Sequence, residues 1–328
     1  MCTLDNQIRM YDSTNKKISM VIPCYNEEEV LPKLFERLSN AAESWNKDWE
    51  VICVDDGSKD KTWEILQSKS STDPRWKAIA FSRNFGHQTA ISCGLENAQG
   101  DAVIVLDADL QDPPEELHRY ISKWEEGYDV VYAVRQKRKE SHHKRFAYWL
   151  FYRVLSKLIT FEIPLDSGDF SIMDRKVVNV LKAMPERNRF VRGLRAWSGF
   201  KQIGLAYERH ERAAGETKYP FKKLLKLAFD GIFSFSTVPL TITSYFGLLI
   251  SSVALFGVMF TFLQRLFENE FSKIGIGPVP GYATTLISVL FLGGVQLISL
   301  GIIGHYLSRI YEEVKGRPQW IIKDKVGL

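Results

Sequence analysis

The chain has 328 residues and carries 43 lysines and arginines against 39 aspartates and glutamates, which leaves a formal net charge of +4. This near balance gives no reason to expect a nucleic-acid partner, and the length favours two regions over a single domain. The four cysteines (Cys2, Cys24, Cys53 and Cys93) lack CxxC spacing, so we expect reduced thiols in a cytosolic domain rather than a disulfide framework.

Short apolar runs alternate with charged helical segments in the first part of the chain. The pattern predicts strands at 17–24, 49–54, 77–81, 102–106 and 129–134, and helices at 27–46, 60–66, 86–98 and 114–126. Such alternation is typical of a doubly wound, largely parallel α/β sheet. No GxGxxG motif follows the first strand and no P-loop motif is present, which disfavours a dinucleotide oxidoreductase and a P-loop NTPase.

Residues 101–115, DAVIVLDADLQDPPE, place two carboxylates directly after a buried strand. Ligands bind at the carboxyl ends of strands in open α/β sheets, and side chains two residues apart on an extended segment share a side. Asp107 and Asp109, with the Gln111 amide oxygen, are therefore predicted to hold Mg²⁺ or Mn²⁺. The alternative is a solvated acidic turn that closes the strand.

Two further strand ends are expected on the same edge of the sheet. The second strand ends in Asp55 and Asp56, and the first runs into Pro23, Tyr25 and Glu27. This set suits a nucleotide with a metal-bridged diphosphate: Tyr25 against a base, and Glu27 or Asp56 accepting hydrogen bonds from a base edge or ribose hydroxyls.

Two long apolar stretches, about 232–263 and 283–307, follow the α/β part. Each has at least about twenty residues almost free of charge, enough to cross a bilayer as a helix. The alternative is a pair of buried helices in a large soluble core. Basic residues flank both stretches, so the positive-inside rule predicts that the large domain and both termini are cytoplasmic. The flanking residues are Lys222, Lys223, Lys226, Arg309, Lys315, Arg317, Lys323 and Lys325.

A basic run leads into an aromatic amphipathic segment at about 142–161. Such a segment suits the membrane interface, where Arg135 and Arg145 would hold a lipid phosphate. The alternative is a packing helix with one solvated face. A second interfacial helix is expected at 219–231. Residues 165–170 carry no helical signal and are predicted to form a loop.

Six motifs in order carry a family resemblance: PCYNEEE, DDGSKDKT, GHQTAISCGLENAQGD, LDADLQDPPE, DSGDF and GETKYP. The chain resembles family 2 glycosyltransferases of the GT-A fold, and within them polyprenyl-phosphate glycosyltransferases. It looks like dolichyl-phosphate mannose synthases and, more closely, bactoprenol glucosyltransferases of the GtrB type. The resemblance covers about residue 18 to the C-terminus and is specific for the family but not for the sugar.

The resemblance implies a site, residue by residue. Asp107, Asp109 and Gln111 match the metal positions. The matches to donor-nucleotide positions are Pro23, Tyr25, Glu27, Val54, Asp56, Asp107, Ala108, Arg212 and Lys218. Arg212 and Lys218 match basic residues that reach the diphosphate from a mobile loop; GETKYP departs from the Ser that many relatives have before this Lys. The alternative for these two is a solvated basic loop.

The catalytic carboxylates implied by the resemblance are Asp109 and Asp166, the latter within DSGDF. Because a phosphate nucleophile is already ionised, a strong general base is not obligatory, and Asp166 has the alternative role of orienting the acceptor or the sugar. Asp169 is assigned a structural role.

The implied architecture is a flexible N-terminus (1–16), a cytoplasmic GT-A domain (17–218), an interfacial helix (219–231), a transmembrane hairpin (232–308) and a cytoplasmic tail (309–328). The implied reaction is inverting transfer of glucose from UDP-glucose to undecaprenyl or a similar polyprenyl phosphate at the cytoplasmic membrane face. A flippase and a second glycosyltransferase would act next, and Gly293, Gly294 and Gly301 suit self-association of the hairpin.

Four alternatives stay open at this point. The donor is GDP-mannose or a modified UDP-sugar in the first. The second is a processive polysaccharide synthase, although the chain lacks a QxxRW stretch. The third is a non-catalytic sensor of nucleotide-sugar or lipid. The fourth is a nucleotidyltransferase, which gives no reason for an apolar hairpin.

Overall fold

The computed structural model describes residues 16–135, 167–187, 189–207, 236, 238–267 and 281–328. The chain divides into two compact units. Among the described residues, one unit contains the sheet and includes Arg317–Leu328. The other unit consists of the described residues between Ser236 and Gly316. Several predictions fall outside the described residues: the N-terminus, the segments 142–161 and 219–231, and Arg145, Asp166, Arg212 and Lys218.

The strands of the described chain form one mixed sheet in the order β7-β5-β6-β4-β1-β2-β3-β8. They are β1 (Ile18–Cys24), β2 (Trp49–Asp55), β3 (Trp76–Phe81), β4 (Ala102–Val105), β5 (Val130–Arg135), β6 (Ser167–Asp174), β7 (Gln202–Tyr207) and β8 (Ile322–Val326). The central strands are buried along their whole length, as expected for a sheet covered on both faces.

The sequence pattern predicts the first four helices of the sheet unit but not the last two. In chain order the helices are α1 (Leu31–Glu43), α2 (Thr62–Thr72), α3 (His87–Asn97), α4 (Leu117–Glu125), α5 (Arg175–Ala183) and α6 (Val191–Trp197), and a 3₁₀ turn (Pro114–Glu116) precedes α4. A Cβ atom added at Gly94 would lie 2.2 Å from Val21 Cγ1, so α3 packs on β1 at a distance that only glycine permits.

The expectation of a largely parallel sheet needs correction, as does the predicted loop at 165–170. β6 runs antiparallel between β4 and β5, and it begins at Ser167. Ser, Gly and Asp are poor strand formers, which hid the start of β6, although Phe170 and Ile172 are buried.

The C-terminal segment also holds a strand that the sequence pattern did not predict. β8 pairs antiparallel with β3 at the edge of the sheet. Its sequence, IKDKV, is mostly charged and exposed, as is typical of edge strands that avoid pairing with other chains.

The helical unit contains α7 (Val238–Leu266) and α8 (Tyr282–Val314). Val238–Gly257 and Phe291–Val314 are candidate membrane spans by length and composition, and neither window is buried. Large apolar side chains such as Phe256 and Leu297 stand more than two-thirds exposed. The Tyr306 hydroxyl of α8 donates to the carbonyl of Ser236, which lies two residues before α7, at 2.6 Å.

Candidate active site

The carboxyl ends of β1, β2, β3 and β4 lie on one edge of the sheet, because these strands are parallel. β6 is antiparallel to β4, with Val105 paired to Ser171, so the first residues of β6 lie at the same edge. The structure thus confirms that the predicted acidic strand ends share one edge, and it adds the start of β6 to them.

Residues 107–112 form a turn rather than the extended segment that was expected. β4 ends at Val105, and Leu110 has a positive φ of 57°. Within the turn the Gln111 N–H donates to Asp109 Oδ1 at 3.1 Å. Asp109 and Ala108 are buried. The turn is what brings Asp107, Asp109 and the Gln111 backbone together.

Asp107 carries an oxygen to which no described residue donates a hydrogen bond. Its Oδ1 is buried and has no hydrogen-bond partner among the described residues; His87 Nε2 lies 3.5 Å away. Burial, together with the charges of Asp169, Asp112 and Asp109, raises the pKa of Asp107 to about 6, and His87 opposes the rise only in part. His87 therefore supplies only part of the positive charge that would hold Asp107 ionised.

Asp169 is held by three partners from two helices. Arg192 Nε donates to Oδ1 at 2.9 Å, Gln88 Nε2 donates to Oδ2 at 3.1 Å, and His87 Nε2 lies 3.4 Å from Oδ2. Arg192 and His87 hold the pKa of Asp169 well below its usual range despite burial. Although burial disfavours its charged form, the carboxylates of Asp169 and Asp107 raise the pKa of His87 to about 9.

The sequence reasoning missed His87, Gln88 and Arg192 as members of this site. His87 and Gln88 lie within GHQTA, a motif that was used only for the family resemblance, and Arg192 lies in α6. The helix pattern alone gave no sign that these three residues meet at Asp169, and the structural role assigned to Asp169 stays a prediction.

The donor set fits a divalent cation shared with substrate phosphates. Within the residues that the structure describes, no group of three His, Cys, Asp or Glu side chains forms a metal cluster. Mg²⁺, and by analogy Mn²⁺, binds through one or two carboxylates plus phosphate oxygens and water. Asp107 and Asp109, with the Gln111 amide, would supply the protein ligands.

The loops after β1 and β2 are joined by a series of hydrogen bonds. Asn26 N–H donates to Ser58 Oγ at 2.9 Å, and Lys59 N–H donates to Asn26 Oδ1 at 2.9 Å. Gly57 has φ +70°, and a Cβ there would lie 2.5 Å from the Arg83 carbonyl carbon, so this close contact requires glycine. The loops form a fixed wall beside the half-exposed Tyr25 ring.

The two acidic residues after β2 hold loops in place. Asp56 accepts from Phe85 N–H at 2.6 Å and from Gly86 N–H at 2.9 Å. Asp55 accepts from the Ser58 N–H at 3.0 Å and from its hydroxyl. Burial raises the pKa of both carboxyls. The nucleotide contact predicted for Asp56 stays a prediction.

Other predicted site residues are only partly described. Pro23 and Val54 are buried partners in the β1–β2 ladder. Glu27 is the third residue of the loop after β1 and donates its N–H to Thr62 Oγ1 at 2.8 Å. The backbone of Arg135 closes β5. The roles assigned to Arg135, Arg145, Asp166, Arg212 and Lys218 stay predictions.

The chain belongs to glycosyl transferase family 2. The model of this family matches residues 19–181, the part that holds Asp107, Asp109 and Asp169. The "Uncharacterized glycosyltransferase YkcC" of Bacillus subtilis (strain 168) is 46% identical over 96% of this chain and 96% of its own length.

The "Bactoprenol glucosyl transferase" of Shigella phage SfII is 42% identical over 94% of this chain and 97% of its own length. Among solved structures, glucosyl-3-phosphoglycerate synthase from Mycobacterium tuberculosis, in complex with Mn²⁺, UDP and phosphoglyceric acid, aligns with a TM-score of 0.45 at 19% identity. That alignment covers 66% of this chain and 76% of the synthase.

Proposed function

We propose that this protein transfers a hexose, glucose from UDP-glucose, to a polyprenyl phosphate such as undecaprenyl phosphate, with inversion at the anomeric carbon. The observation that carries the proposal is the buried Asp107 Oδ1, which has no hydrogen-bond partner among the described residues and lies near Asp109 at the carboxyl edge of the sheet. Similarity over nearly the full length to a bactoprenol glucosyl transferase supports the sugar and the acceptor.

Each described residue has a distinct task in this proposal. The loops after β1 and β2 bind the nucleotide, and the Tyr25 ring packs against the base. Asp107 and Asp109 hold Mg²⁺ or Mn²⁺, which would neutralise the diphosphate when bound. His87 and Arg192 compensate Asp169, so that the added cation serves Asp107 and the donor rather than Asp169.

The acceptor phosphate supplies the nucleophile. One of its oxygens forms the new bond to the anomeric carbon while the bond from that carbon to the diphosphate breaks, and UDP leaves with the electron pair. Arg135 and Arg145 would hold the acceptor phosphate, and Asp166 would orient it. Arg212 and Lys218 would compensate the charge of the departing UDP.

The acceptor lipid and the two apolar helices place the reaction at a membrane. α7 and α8 expose apolar side chains along their candidate spans, and basic residues follow the second span. We infer that the sheet unit and both termini lie on the cytoplasmic side. A flippase would then carry the product across, a second glycosyltransferase would use it, and glycines of α8 suit self-association.

The test is a transfer assay with the purified full chain in detergent. The mixture holds radiolabelled UDP-glucose, undecaprenyl phosphate and Mg²⁺, with GDP-mannose and UDP-N-acetylglucosamine in parallel. Label in the lipid phase from UDP-glucose alone is the expected result. Label from another donor only would overturn the sugar. No lipid label from any donor would overturn the proposed reaction.

A pair of variants separates the metal carboxylates from nearby acids. Asp109→Ala is expected to abolish transfer, and its melting temperature should stay within a few degrees of that of the wild type. Glu115→Ala is the control, because Glu115 belongs to the same motif but pairs with Arg37 at the surface. Normal transfer by Asp109→Ala would refute its role at the metal.

A further inference from the structure

A buried hydrogen bond joins the carboxylate turn to a strand on the other side of β6. The Tyr207 hydroxyl donates to Asp112 Oδ1, across 95 residues of sequence. Both side chains are almost fully buried. Tyr207 is the last residue of β7, where it pairs in register with Arg135 at the end of β5.

Asp112 is the last residue of the turn that presents the metal carboxylates. The turn starts from β4, and it passes through Leu110 in the left-handed region with φ 57°. That conformation is unfavourable for leucine and persists only where the surroundings fix it. A hydrogen bond to Asp112 fixes the far end of the turn, as β4 fixes the near end.

We propose that Tyr207 is a positioning residue for metal-dependent donor binding. Its hydroxyl holds Asp112, and through the turn it sets the distance between the Asp107 and Asp109 carboxylates. The inference rests on the proposed function, because it assumes that these carboxylates bind a divalent cation with the donor diphosphate. Groups that orient metal ligands in this way typically change metal affinity by about 10–100-fold when they are removed.

Tyr120 offers a matched control in the same aromatic cluster. Its ring lies 4.9 Å from Phe170, and Phe170 lies 5.8 Å from Tyr207, measured between centroids. Tyr120 is also fully buried, but its hydroxyl has no hydrogen-bond partner in the described part of the chain. Tyr207→Phe and Tyr120→Phe therefore remove the same oxygen atom, and only the first removes a bond to Asp112.

The experiment measures UDP binding by calorimetry on the full chain in detergent, across a range of Mn²⁺ concentrations and without acceptor. We expect Tyr207→Phe to raise the Mn²⁺ concentration needed for half-maximal UDP binding by about 10-fold or more. Tyr120→Phe should bind as the wild type does. In transfer kinetics, Tyr207→Phe should raise the KM for the donor and leave the KM for the lipid acceptor unchanged.

A second pair keeps the inference testable if Tyr207→Phe does not fold. Asp112→Asn retains an oxygen that can accept from Tyr207, whereas Asp112→Ala does not. The Ala variant should need about 10-fold more Mn²⁺ than the Asn variant. Equal Mn²⁺ requirements within either pair would overturn the inference, even if the melting temperatures differ.

The two failures are distinguishable. If the wild type binds UDP with Mn²⁺ and Tyr207→Phe binds equally well, only the positioning role is lost. If the wild type binds no nucleotide at any Mn²⁺ concentration, the proposed function fails and the inference fails with it.

Discussion

Two buried carboxylate clusters lie at opposite ends of the parallel strands, which form the amino edge and the carboxyl edge of the sheet. At the amino edge, Glu50 accepts hydrogen bonds from Lys17 Nζ at 2.7 Å, Lys77 Nζ at 2.9 Å, Ser19 Oγ at 2.6 Å and Gln99 N–H at 2.9 Å. Although burial opposes ionisation, these donors lower the pKa of Glu50 to about 2. At this edge the protein itself therefore supplies the partners of the Glu50 carboxylate.

At the carboxyl edge, Asp107 is in the opposite state. Its Oδ1 has no hydrogen-bond partner within the described ranges, and its neighbours include Asp109, Asp112 and Asp169. The pKa of Asp107 is raised to about 6, so ionisation of Asp107 costs folding free energy at neutral pH. This difference divides the two edges: the Glu50 carboxylate is fully hydrogen-bonded within the protein, whereas Asp107 offers the oxygen that the proposed function assigns to a ligand.

The sharpest test of this division is Asp107→Asn. The variant keeps the shape of the side chain and removes a charge that His87 compensates only in part. We expect transfer to fall by about 10³-fold, as for loss of a main electrostatic contact, while the melting temperature stays constant or rises. Kinetics and thermal unfolding of the full chain measure the two effects. A large fall in melting temperature would show that Asp107 supports the fold instead.

The reverse result is expected for Glu50→Gln. Loss of the charge leaves Lys17 and Lys77 without their carboxylate, and breaking a buried ion pair costs about 3–5 kcal/mol. For a sheet unit of this size the melting temperature should fall by roughly 6–20 °C. Mn²⁺-dependent UDP binding by the folded protein, measured at low temperature, should not change. A weakened UDP affinity would link the amino edge to the site and blur the division.

The same comparison predicts how stability depends on pH. The Glu50 pKa is about 2 in the folded protein and 4.5 in the reference state. A depressed pKa stabilises the fold above the unfolded value, and this contribution, about 3 kcal/mol at neutral pH, is lost as pH falls from 4.5 towards 2. Unfolding of the wild type and Glu50→Gln should therefore converge over that window. Parallel curves would mean that Glu50 is not the group that titrates.

The extent to which sequence reasoning succeeded follows from where each interaction lies along the chain. β1 and β2 were predicted within a residue because they are apolar runs, and Asp107 and Asp109 because they follow β4 directly. β6 and β8 were missed because their polar composition resembles loops. Gln88 and Asp169 are 81 residues apart, and only the antiparallel insertion of β6 brings them together, which no local pattern encodes.

Arg192→Gln is expected to give the smallest effect. It tests whether Asp169 is a structural carboxylate like Glu50 or a site carboxylate like Asp107. Arg192 Nε donates to Asp169 Oδ1 at 2.9 Å, so its loss leaves His87 and Gln88 as the remaining described partners of Asp169. His87 should then move towards Asp169 and away from Asp107, which costs about 1–2 kcal/mol of stability and about 10-fold in kcat/KM for the donor.

Arg37→Gln is the control, since its pair with Glu115 lies at the surface and should change stability by less than about 1 kcal/mol. If the two variants transfer sugar at the same rate, Asp169 and its partners belong with Glu50 as structural elements. A selective loss in Arg192→Gln would place them with Asp107, because a purely structural ion pair has no reason to affect donor binding in the folded enzyme.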